Sequence, residues 1–408
     1  MVPNVEAALT PWVARLRSQA NLPVLVQWGE HPGPGSGLRL GDFDEPRVVI
    51  RLRKAAAVPK LLSPGLDSLG EAYVEGLIDV EGSVADILDV AHRLAEAGSR
   101  TESRLTRIAR HFKHSRKSDQ AAIRYHYDVS NAFYQAWLDP RMVYSCAYFE
   151  NGDETLEQAQ LKKIDHILTK VQLRPGQRLL DIGCGWGALV IRAAQAYGAR
   201  CLGITLSQRQ FELAAERVRA AGLQDRVEIR LQDYRDVQGS FDRITSVGMF
   251  EHVGLDHLPA YFARIRELLT DEGWALNHGI TSTDAHDGET RHGGGRFIDR
   301  YVFPQGELPH IGTVLRALQE GGLEALDVES LRRHYARTTA LWSQAFEAAG
   351  DRLRSLVDER RWRIWRVYLA GCQWAFEHDE ISLYQVLCRK SGRPAHGLPW
   401  SRRWMYPG

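Results

Sequence analysis

Strand-like and helix-like patterns alternate between residues 156 and 281, and this alternation limits the fold more than any other feature of the chain. The strand patterns QRLLDIG, RCLGITLS and RVEIRLQDY are separated by the helical patterns GALVIRAAQAYG and QRQFELAAERVRAAG. Two further strand patterns, FDRITSVGMF and GWALNHGIT, flank the helical LPAYFARIRELL. Such alternation is typical of βαβ units, which form a parallel sheet with helices on both faces. Ligands bind such sheets at the carboxyl ends of the strands.

A glycine-rich loop, LLDIGCGWG at 179–187, ends the first of these strands. Its glycines let the backbone turn tightly and approach a ligand. An NAD site needs an acid about 20 residues further on, and GITLSQRQ has none there. A phosphate-binding P-loop needs Lys-Ser or Lys-Thr after the glycines, which is also missing. Asp233 and Tyr234 follow the third strand and suit an adenine. The loop therefore predicts an S-adenosylmethionine site, with a tight turn that binds nothing as the alternative.

The chain divides into three segments. Residues 1–98 contain the strand patterns LPVLVQW and RVVIRLR and a helical pattern that ends at Gly98, so they predict a small α+β N-terminal domain. Residues 99–120 form a basic helical linker, and 121–408 contain the α/β pattern.

The linker at 99–120 carries seven Arg or Lys residues against one Glu and one Asp. Leu105, Ile108 and Phe112 fall on one face of a helix, which predicts a basic amphipathic helix. It is either a solvated linker or a segment that docks on an anionic lipid surface, where each basic residue is worth about 1 kcal/mol.

Bulk composition excludes several classes of protein. The net charge is +1 over 408 residues, so the whole molecule has no strong attraction to nucleic acid or membrane. The five cysteines are scattered, with no CxxC pair and no metal-ligand spacing, which favours a reducing cytoplasm. The N-terminus does not read as a signal peptide, and no apolar run approaches the ~18–20 residues that span a bilayer. We expect a cytoplasmic protein that is soluble or peripherally associated with the inner face of the membrane.

Two aromatic stretches have open interpretations. VYSCAYF, at 143–149, gathers rings around one cysteine, which indicates either a core cluster or part of a site. RRWRIWRVYLAGCQWAF, at 360–376, has tryptophans at helical spacing, which indicates either a core-facing stripe or the wall of an acyl channel.

The ordered motifs YHYDVSNAFYQAWLD, MVYSCAYF, LLDIGCGWG, GITLSQRQ, SVGMFEHVG, NHGI, YVFPQGELP and HYARTTALW resemble those of cyclopropane fatty acid synthases. That family includes bacterial phospholipid enzymes and the related mycolic acid cyclopropane synthases. The resemblance covers about 121–390. Residues 1–98 resemble, more weakly, the lipid-associated domain of the phospholipid-acting members. The resemblance implies a Rossmann-like S-adenosylmethionine-dependent methyltransferase domain with a small α+β N-terminal domain.

The resemblance also implies a reaction. The methyl of S-adenosylmethionine is added to a cis double bond of an unsaturated phospholipid acyl chain at the membrane surface. A carbocation forms, and bound bicarbonate removes a proton so that a cyclopropane ring closes. Proton loss elsewhere would give a methylene- or methyl-branched chain. A small-molecule methyltransferase and a non-enzymatic lipid-binding module are further alternatives. No metal and no nucleic-acid partner are expected, and a homodimer would let two lipid-facing domains act together.

The family's site residues carry over by motif. The holders of bicarbonate would be Cys146, Glu251, His278, Ile280 and Tyr335. The residues that contact the cofactor would be Tyr144, Ser145, Gly183, Gly185, Thr205, Gln210, Asp233 and Tyr234. Each of three residues, considered without the resemblance, has a structural alternative. Glu251 is then a solvated loop residue, His278 a core histidine and Tyr335 a structural residue.

Overall fold

The computed structural model describes most of the chain. The described ranges are 5–29, 36–98, 129–285, 295–304, 306–395 and 398–406. The predicted basic helix at 99–120 lies outside them, so the helix and its docking role stay predictions. The described residues form two compact units.

The N-terminal unit contains a small sheet with the strand order β2-β1-β3-β4. Strands β1 and β3 run parallel, and each edge strand runs antiparallel to its neighbour. The predicted small α+β domain is confirmed, since both predicted strands and the helix that ends at Gly98 are present. The elements are α1 (Val5–Gln19), β1 (Val24–Trp28), β2 (Leu38–Arg39), β3 (Val48–Leu52), α2 (Val58–Leu62), α3 (Leu66–Val74), β4 (Ile78–Glu81) and α4 (Val84–Gly98).

Apolar periodicity explains these elements. Val48, Ile50 and Leu52 are buried on one face of β3 because side chains alternate across a strand. Leu9 and Trp12 of α1 lie on one helical stripe and join the same core. The sheet and its helices thus enclose a core of their own.

Two segments from far along the chain belong to this unit, residues 295–302 and 357–374. The backbone N–H of Phe297 donates to Asp67 (2.9 Å), and the guanidinium of Arg363 donates to Asp79 (2.7 Å). The sequence assigned both segments to the 121–408 domain, because pairing between such distant side chains leaves no local pattern. The boundaries at 98 and 120 stay predictions.

The aromatic stripe at 360–376 packs largely within the N-terminal unit. Trp362 and Trp365 are each only 4% exposed. The ring of Trp374 stacks on His92 with 3.9 Å between ring centroids. These contacts favour the core-facing interpretation of the stripe.

The second unit is built on a larger sheet. Its described strands have the order β10-β11-β9-β8-β5-β6-β7 and are parallel, except that β11 runs antiparallel to both of its neighbours. The predicted βαβ alternation is confirmed, since all five predicted strand patterns form strands. The strands are β5 (Arg178–Ile182), β6 (Arg200–Thr205), β7 (Val227–Leu231), β8 (Phe241–Val247), β9 (Leu269–Ser282), β10 (Leu323–Ser330) and β11 (Ile381–Lys390).

Eight α-helices of the described residues belong to the second unit. They are α5 (Asn131–Gln135), α6 (Leu156–Lys170), α7 (Ala188–Tyr197), α8 (Gln208–Ala220), α9 (Leu258–Leu268), α11 (Ile311–Glu320), α12 (Arg332–Ala348) and α13 (Gly350–Leu356). Two others, α10 (Gly295–Tyr301) and the greater part of α14 (Glu359–Glu377), belong to the N-terminal unit. Among the residues that the structure describes, no helix is long and apolar enough to cross a membrane.

Local caps set where the important helices begin. Thr155 and Gln158 exchange side-chain-to-backbone hydrogen bonds, and this capping box starts α6. Ser207 accepts from the N–H of Gln210 at the start of α8. Helix α7 begins directly after Gly187, whose φ of +85° favours glycine.

Strand order reverses at β5, because β6 lies on one side of it and β8 on the other. In open α/β sheets a crevice opens at such a reversal, outside the carboxyl ends of the strands, and ligands bind there. The glycine-rich loop leaves β5 at this point.

At Gly279 of β9 the backbone lies so close to a neighbouring ring that there is no room for a side chain. A Cβ at this position would lie 1.8 Å from the ring of Phe250, which is buried. We expect Gly279→Ala to lower the free energy of unfolding by about 1–3 kcal/mol or more through overpacking. Denaturant unfolding followed by circular dichroism measures this. Gly371→Ala is the control, since its Cβ would meet nothing within 4 Å. Equal stability of the two variants would contradict the expectation.

Candidate active site

The glycine-rich loop has the backbone that its sequence requires. Gly183, Gly185 and Gly187 all have positive φ, at +81°, +54° and +85°. Asp181, just before the loop, is buried and accepts a hydrogen bond from the hydroxyl of Thr245 (2.7 Å). Burial raises the pKa of Asp181 to about 6, although that hydrogen bond opposes the shift.

A cleft lies where the loop leaves the sheet, and seven of the eight residues predicted to contact the cofactor line it. The seven are Tyr144, Ser145, Gly183, Gly185, Thr205, Gln210 and Tyr234. They come from four separate stretches of sequence, so the fold brings together residues that the motifs only suggested. Lys163, Trp186 and His252 also line the cleft, and they were not among the predicted cofactor contacts.

Asp233 is the eighth residue, and it is absent from the lining of this cleft. Its carboxylate accepts hydrogen bonds from the Arg235 guanidinium at 2.8 and 2.7 Å and from the Arg235 backbone N–H at 2.9 Å. An adenine contact by Asp233 would therefore require this carboxylate to be shared with Arg235 or turned away from it. The predicted role of Asp233 stays a prediction.

Two residues of α6 hold the backbone that carries Tyr144 and Ser145. The side-chain amide of Gln160 donates to the carbonyls of Val143 (3.2 Å) and Ser145 (2.8 Å). One turn later, the ammonium of Lys163 donates to the Ser145 hydroxyl (2.8 Å). Burial lowers the pKa of Lys163 to about 8. This role was not predicted, because a lysine in a helix is usually solvated.

Glu251 and Ile280 are in direct contact. Glu251 lies in the single turn Phe250–His252 that follows β8, and its Oε1 accepts from the backbone N–H of Ile280 (2.7 Å). Its other oxygen, Oε2, is buried and has no hydrogen-bond partner among the described residues. Burial raises the pKa of Glu251 to about 7, against the effect of the Ile280 hydrogen bond. The Ile280 amide is thus already used by Glu251, whereas the sequence led us to expect it to face an anion.

His278 lies two residues before Ile280 on β9, so the two side chains share a face of the sheet. The imidazole is fully buried, and its Nδ1 lies 3.2 Å from the side-chain nitrogen of Gln385 on β11. The opposite ring nitrogen, Nε2, is buried without a hydrogen-bond partner in the described part of the chain. Burial and the positive charges of Lys163 and Lys170 lower the pKa of His278 well below its usual value.

Tyr335 lies on α12, and Cys146 contacts Leu331, the residue before that helix. The Cys146 sulfur is fully buried, 3.2 Å from its neighbour's carbonyl at Ala147, and burial raises the pKa of the thiol. Tyr335 is 8% exposed and stacks on Phe376 with 4.4 Å between ring centroids. The Ala147 amide donates to the hydroxyl of Thr338 (3.0 Å), one turn along α12 from Tyr335.

A chain of backbone contacts joins this pair to Glu251 and His278. Ile280 pairs with Leu383 in the β9–β11 ladder. The carbonyl of Leu383 accepts from the N–H of Leu331 (2.8 Å), and the carbonyl of Leu331 is 3.8 Å from the Cys146 sulfur. The five predicted holders of an anion therefore come from one neighbourhood, although four separate stretches of sequence supply them.

The aromatic stretch VYSCAYF serves the core and the cleft together. Tyr144 lines the cleft and contacts the rings of Trp342 (5.2 Å), Trp137 (5.5 Å) and Tyr134 (5.7 Å). Those three partners are 2% exposed or less. A rigid apolar wall thus lies behind one side of the cleft.

The larger sheet, the order reversal at β5, the antiparallel β11 and the glycine-lined cleft define a Rossmann-like methyltransferase domain that uses S-adenosylmethionine. A solved relative agrees with this assignment. The structure described as mycolic acid cyclopropane synthase CmaA1 complexed with SAH and CTAB superposes with a TM-score of 0.63 at 36% identity, covering 66% of this chain and 98% of that one.

Sequence comparison names the family. A family model described as mycolic acid cyclopropane synthetase matches residues 114–386, and the chain belongs to this family. A second model, for a domain of unknown function, matches residues 12–103. A probable fatty acid methyltransferase from Pseudomonas putida is 46% identical over 364 residues, covering 88% of this chain and 92% of the relative. The cyclopropane-fatty-acyl-phospholipid synthase of Escherichia coli K12 is 35% identical over 354 residues, covering 83% and 87%.

Tyr234 offers a test of the cleft as the cofactor site. Its ring lines the cleft and packs edge-on against Tyr261 (5.3 Å). Stacking of a base on an aromatic ring is worth about 1–3 kcal/mol. We expect Tyr234→Ala to weaken binding of S-adenosylmethionine roughly tenfold or more, and Tyr234→Trp to retain it. Calorimetric titration measures both. Unchanged affinity in the alanine variant would place the adenine elsewhere.

The buried carboxyl of Glu251 should make stability depend on pH. Its pKa of about 7 lies above the ordinary value of 4.5 for a glutamate, so the folded state binds the proton more tightly than the unfolded state. The free energy of unfolding should therefore fall as pH rises from about 4.5 to about 7, by up to about 3 kcal/mol. Glu251→Gln lacks this ionisation, so its stability relative to the natural chain should increase between pH 5 and pH 8. Denaturant unfolding at several pH values measures the difference. A constant difference would mean that Glu251 ionises freely.

Proposed function

We propose that this protein transfers the methyl group of S-adenosylmethionine to the cis double bond of an unsaturated phospholipid acyl chain and closes a cyclopropane ring. The family match and the name of the Escherichia coli relative support this substrate and product. That relative aligns with 83% of the chain and the mycolic acid enzyme with 66%, so the phospholipid enzyme shares more of the chain than the mycolic acid enzyme does. The membrane surface would then be where the substrate is met.

The observation that carries the proposal is the presence of two buried polar atoms beside the cleft that the predicted cofactor contacts line. Glu251 Oε2 and His278 Nε2 both lack hydrogen-bond partners among the described residues. Buried polar groups in native proteins are nearly always paired. These two belong to segments that the Glu251–Ile280 hydrogen bond joins, and their position beside the cleft supports a site for a polar ligand. A methyltransferase that only delivered a methyl group would not need this second polar site.

The reaction needs both an electrophile and a base. The π electrons of the alkene form a bond to the methyl carbon, and the carbon–sulfur bond breaks with its electron pair going to sulfur. The resulting carbocation loses a proton from the added methyl, and the electrons of that C–H bond close the ring. The proton must pass to a base that does not itself bond to the cation.

Bicarbonate bound beside Glu251 and His278 would supply that base. The residues present fit such an ion. The Glu251 carboxylate can accept its O–H, while His278 Nε2, the Tyr335 hydroxyl and the Cys146 backbone N–H can donate to its oxygens. Ile280 acts differently from the family expectation, because its N–H holds Glu251 in place. A carboxylate next to an anion also raises that anion's proton affinity by like-charge repulsion.

Aromatic residues can stabilise the developing positive charge. Tyr144 lines the cleft and is backed by the buried rings of Trp137 and Trp342. A desolvated cation over an aromatic face gains roughly 2 kcal/mol. The same rings exclude water, which would otherwise trap a carbocation.

A branched product is the second candidate. The Pseudomonas putida relative is named only a probable fatty acid methyltransferase, which fits a methyl-branched or methylene-branched chain as well as a ring. Both products arise from one carbocation. Loss of the proton on the methyl-bearing carbon gives a methyl-branched alkene, and a 1,2-hydride shift followed by loss of a methyl proton gives a methylene branch. The position of the base relative to the acyl chain decides between them.

Mass spectrometry of acyl chains separates these outcomes. The protein is incubated with S-adenosylmethionine, bicarbonate and vesicles of a monounsaturated phospholipid. A gain of one CH2 with loss of the alkene, resistant to hydrogenation, supports cyclopropanation. A gain of one CH2 with an alkene remaining indicates the branched product. No gain with cofactor still bound would overturn the lipid substrate and favour a small-molecule methyltransferase.

Glu251→Gln tests the base site directly. We expect turnover to fall roughly 100-fold or more, because the amide cannot accept and orient a proton as the carboxylate does. Affinity for S-adenosylmethionine should stay the same, since Glu251 does not line the cofactor cleft. Glu267→Gln is the matched control, because Glu267 is a largely exposed glutamate on α9. Unchanged turnover in Glu251→Gln would remove this residue from the reaction.

A further inference from the structure

A buried lysine lies behind His278, on the side away from its unpaired nitrogen. Lys170, the last residue of α6, is fully buried. Its ammonium donates to the Glu329 carboxylate (2.5 Å) and to the side-chain oxygen of Gln385 (3.1 Å). Glu329 is itself bonded to His166 (2.8 Å). Burial opposes ionisation of Glu329, yet His166 and Lys170 together lower its pKa to about 2, so a negative charge holds the ammonium in place.

The ammonium of Lys170 determines which way the amide of Gln385 faces. An ammonium has three donors and no acceptor, so the atom of Gln385 that it meets must be the oxygen. The amide nitrogen then faces His278 Nδ1 at 3.2 Å. A reversed amide would place NH2 against the ammonium. Register reinforces this geometry, because Gln385 and His278 are directly paired in the β9–β11 ladder.

The amide in turn determines where His278 carries its proton. The Gln385 nitrogen can only donate, so Nδ1 of His278 must accept. A neutral imidazole that accepts at Nδ1 carries its hydrogen on Nε2. Burial and two nearby lysines keep the ring neutral. Nε2 is also the ring atom that has no partner among the described residues.

We propose that Lys170 and Gln385 are positioning residues that hold His278 in its Nε2–H tautomer, so that the imidazole presents a hydrogen-bond donor to an anionic ligand. The tautomer follows from the contacts alone, whereas its role in turnover rests on the proposed function. A ring protonated at Nε2 cannot take a proton there. His278 therefore binds the anion, and another group removes the proton from the substrate.

Nuclear magnetic resonance on protein labelled with 15N-histidine tests the tautomer. Long-range 15N–1H correlations distinguish Nε2–H from Nδ1–H, and the signals of His278 are assigned by their loss in His278→Gln. We expect the Nε2–H pattern in the natural chain. An Nδ1–H or doubly protonated ring would overturn the proposal. This measurement is made on the natural chain, with Lys170 and Gln385 both in place.

Gln385→Glu tests whether the amide of Gln385 sets the tautomer of His278. The introduced carboxylate only accepts hydrogen bonds and can pair with Lys170, so we expect His278 to move to the Nδ1–H tautomer. Gln319→Glu, on the exposed face of α11, is the matched control and should leave the pattern unchanged. A folded Gln385→Glu protein that keeps Nε2–H would overturn the role of Gln385.

Turnover separates this proposal from the proposed function. With the tautomer switched, kcat on a monounsaturated phospholipid should fall roughly 10- to 100-fold, as when partners that orient ligating histidines are changed. The dissociation constant of S-adenosylhomocysteine should not change. Unchanged kcat would overturn the link between the tautomer and the reaction. A natural chain that has the Nε2–H pattern but adds no CH2 to the lipid would overturn the proposed function alone.

Discussion

The pairing of β9 with the antiparallel strand β11 is the interaction on which the candidate site depends. It sets His278 opposite Gln385 and Ile280 opposite Leu383. The first pair places the Gln385 amide against the imidazole. In the second, Leu383 accepts a hydrogen bond from Leu331, whose carbonyl lies near the sulfur of Cys146. A slip of one residue would turn His278 to the other face of the sheet. On its other edge β9 is parallel to β8, whose following turn carries Glu251.

The site gathers polar groups where water is largely excluded. Lys163, Asp181, Glu251 and His278 are all nearly or fully buried, and their pKa values shift toward the neutral forms. Such burial costs free energy unless the groups are paired. Apolar cores around the sheet supply the compensating stability. Buried polar groups are nevertheless useful in an active site, because catalysis needs donors and acceptors that are held in position away from water.

Much of the fold could be predicted from local patterns, and parts of the site could not. Strand–helix alternation predicted β5 to β9, and the glycine loop predicted the cleft. Strands β10 and β11 were not among the predicted strand patterns; only two of the eight residues of β10, Leu323 and Asp327, are buried, which leaves no clear apolar pattern in that strand. The burial of Lys163 and Lys170 was not predicted, because it depends on which distant segments pack against α6. One signal existed, since Gln160, Lys163 and Lys170 recur at helical spacing on the buried side of α6.

The sequence by itself determined the fold class, the glycine loop and the residue types available for chemistry, because these depend on local periodicity and on backbone freedom at glycine. Only the tertiary structure decided that the carboxylate of Asp233 is paired with Arg235, that Ile280 holds Glu251, and that Lys170 reaches His278 through Gln385. Each of these outcomes depends on which donor meets which acceptor across distant segments. Hydrogen bonds are directional and short, so strand register and helix packing decide them.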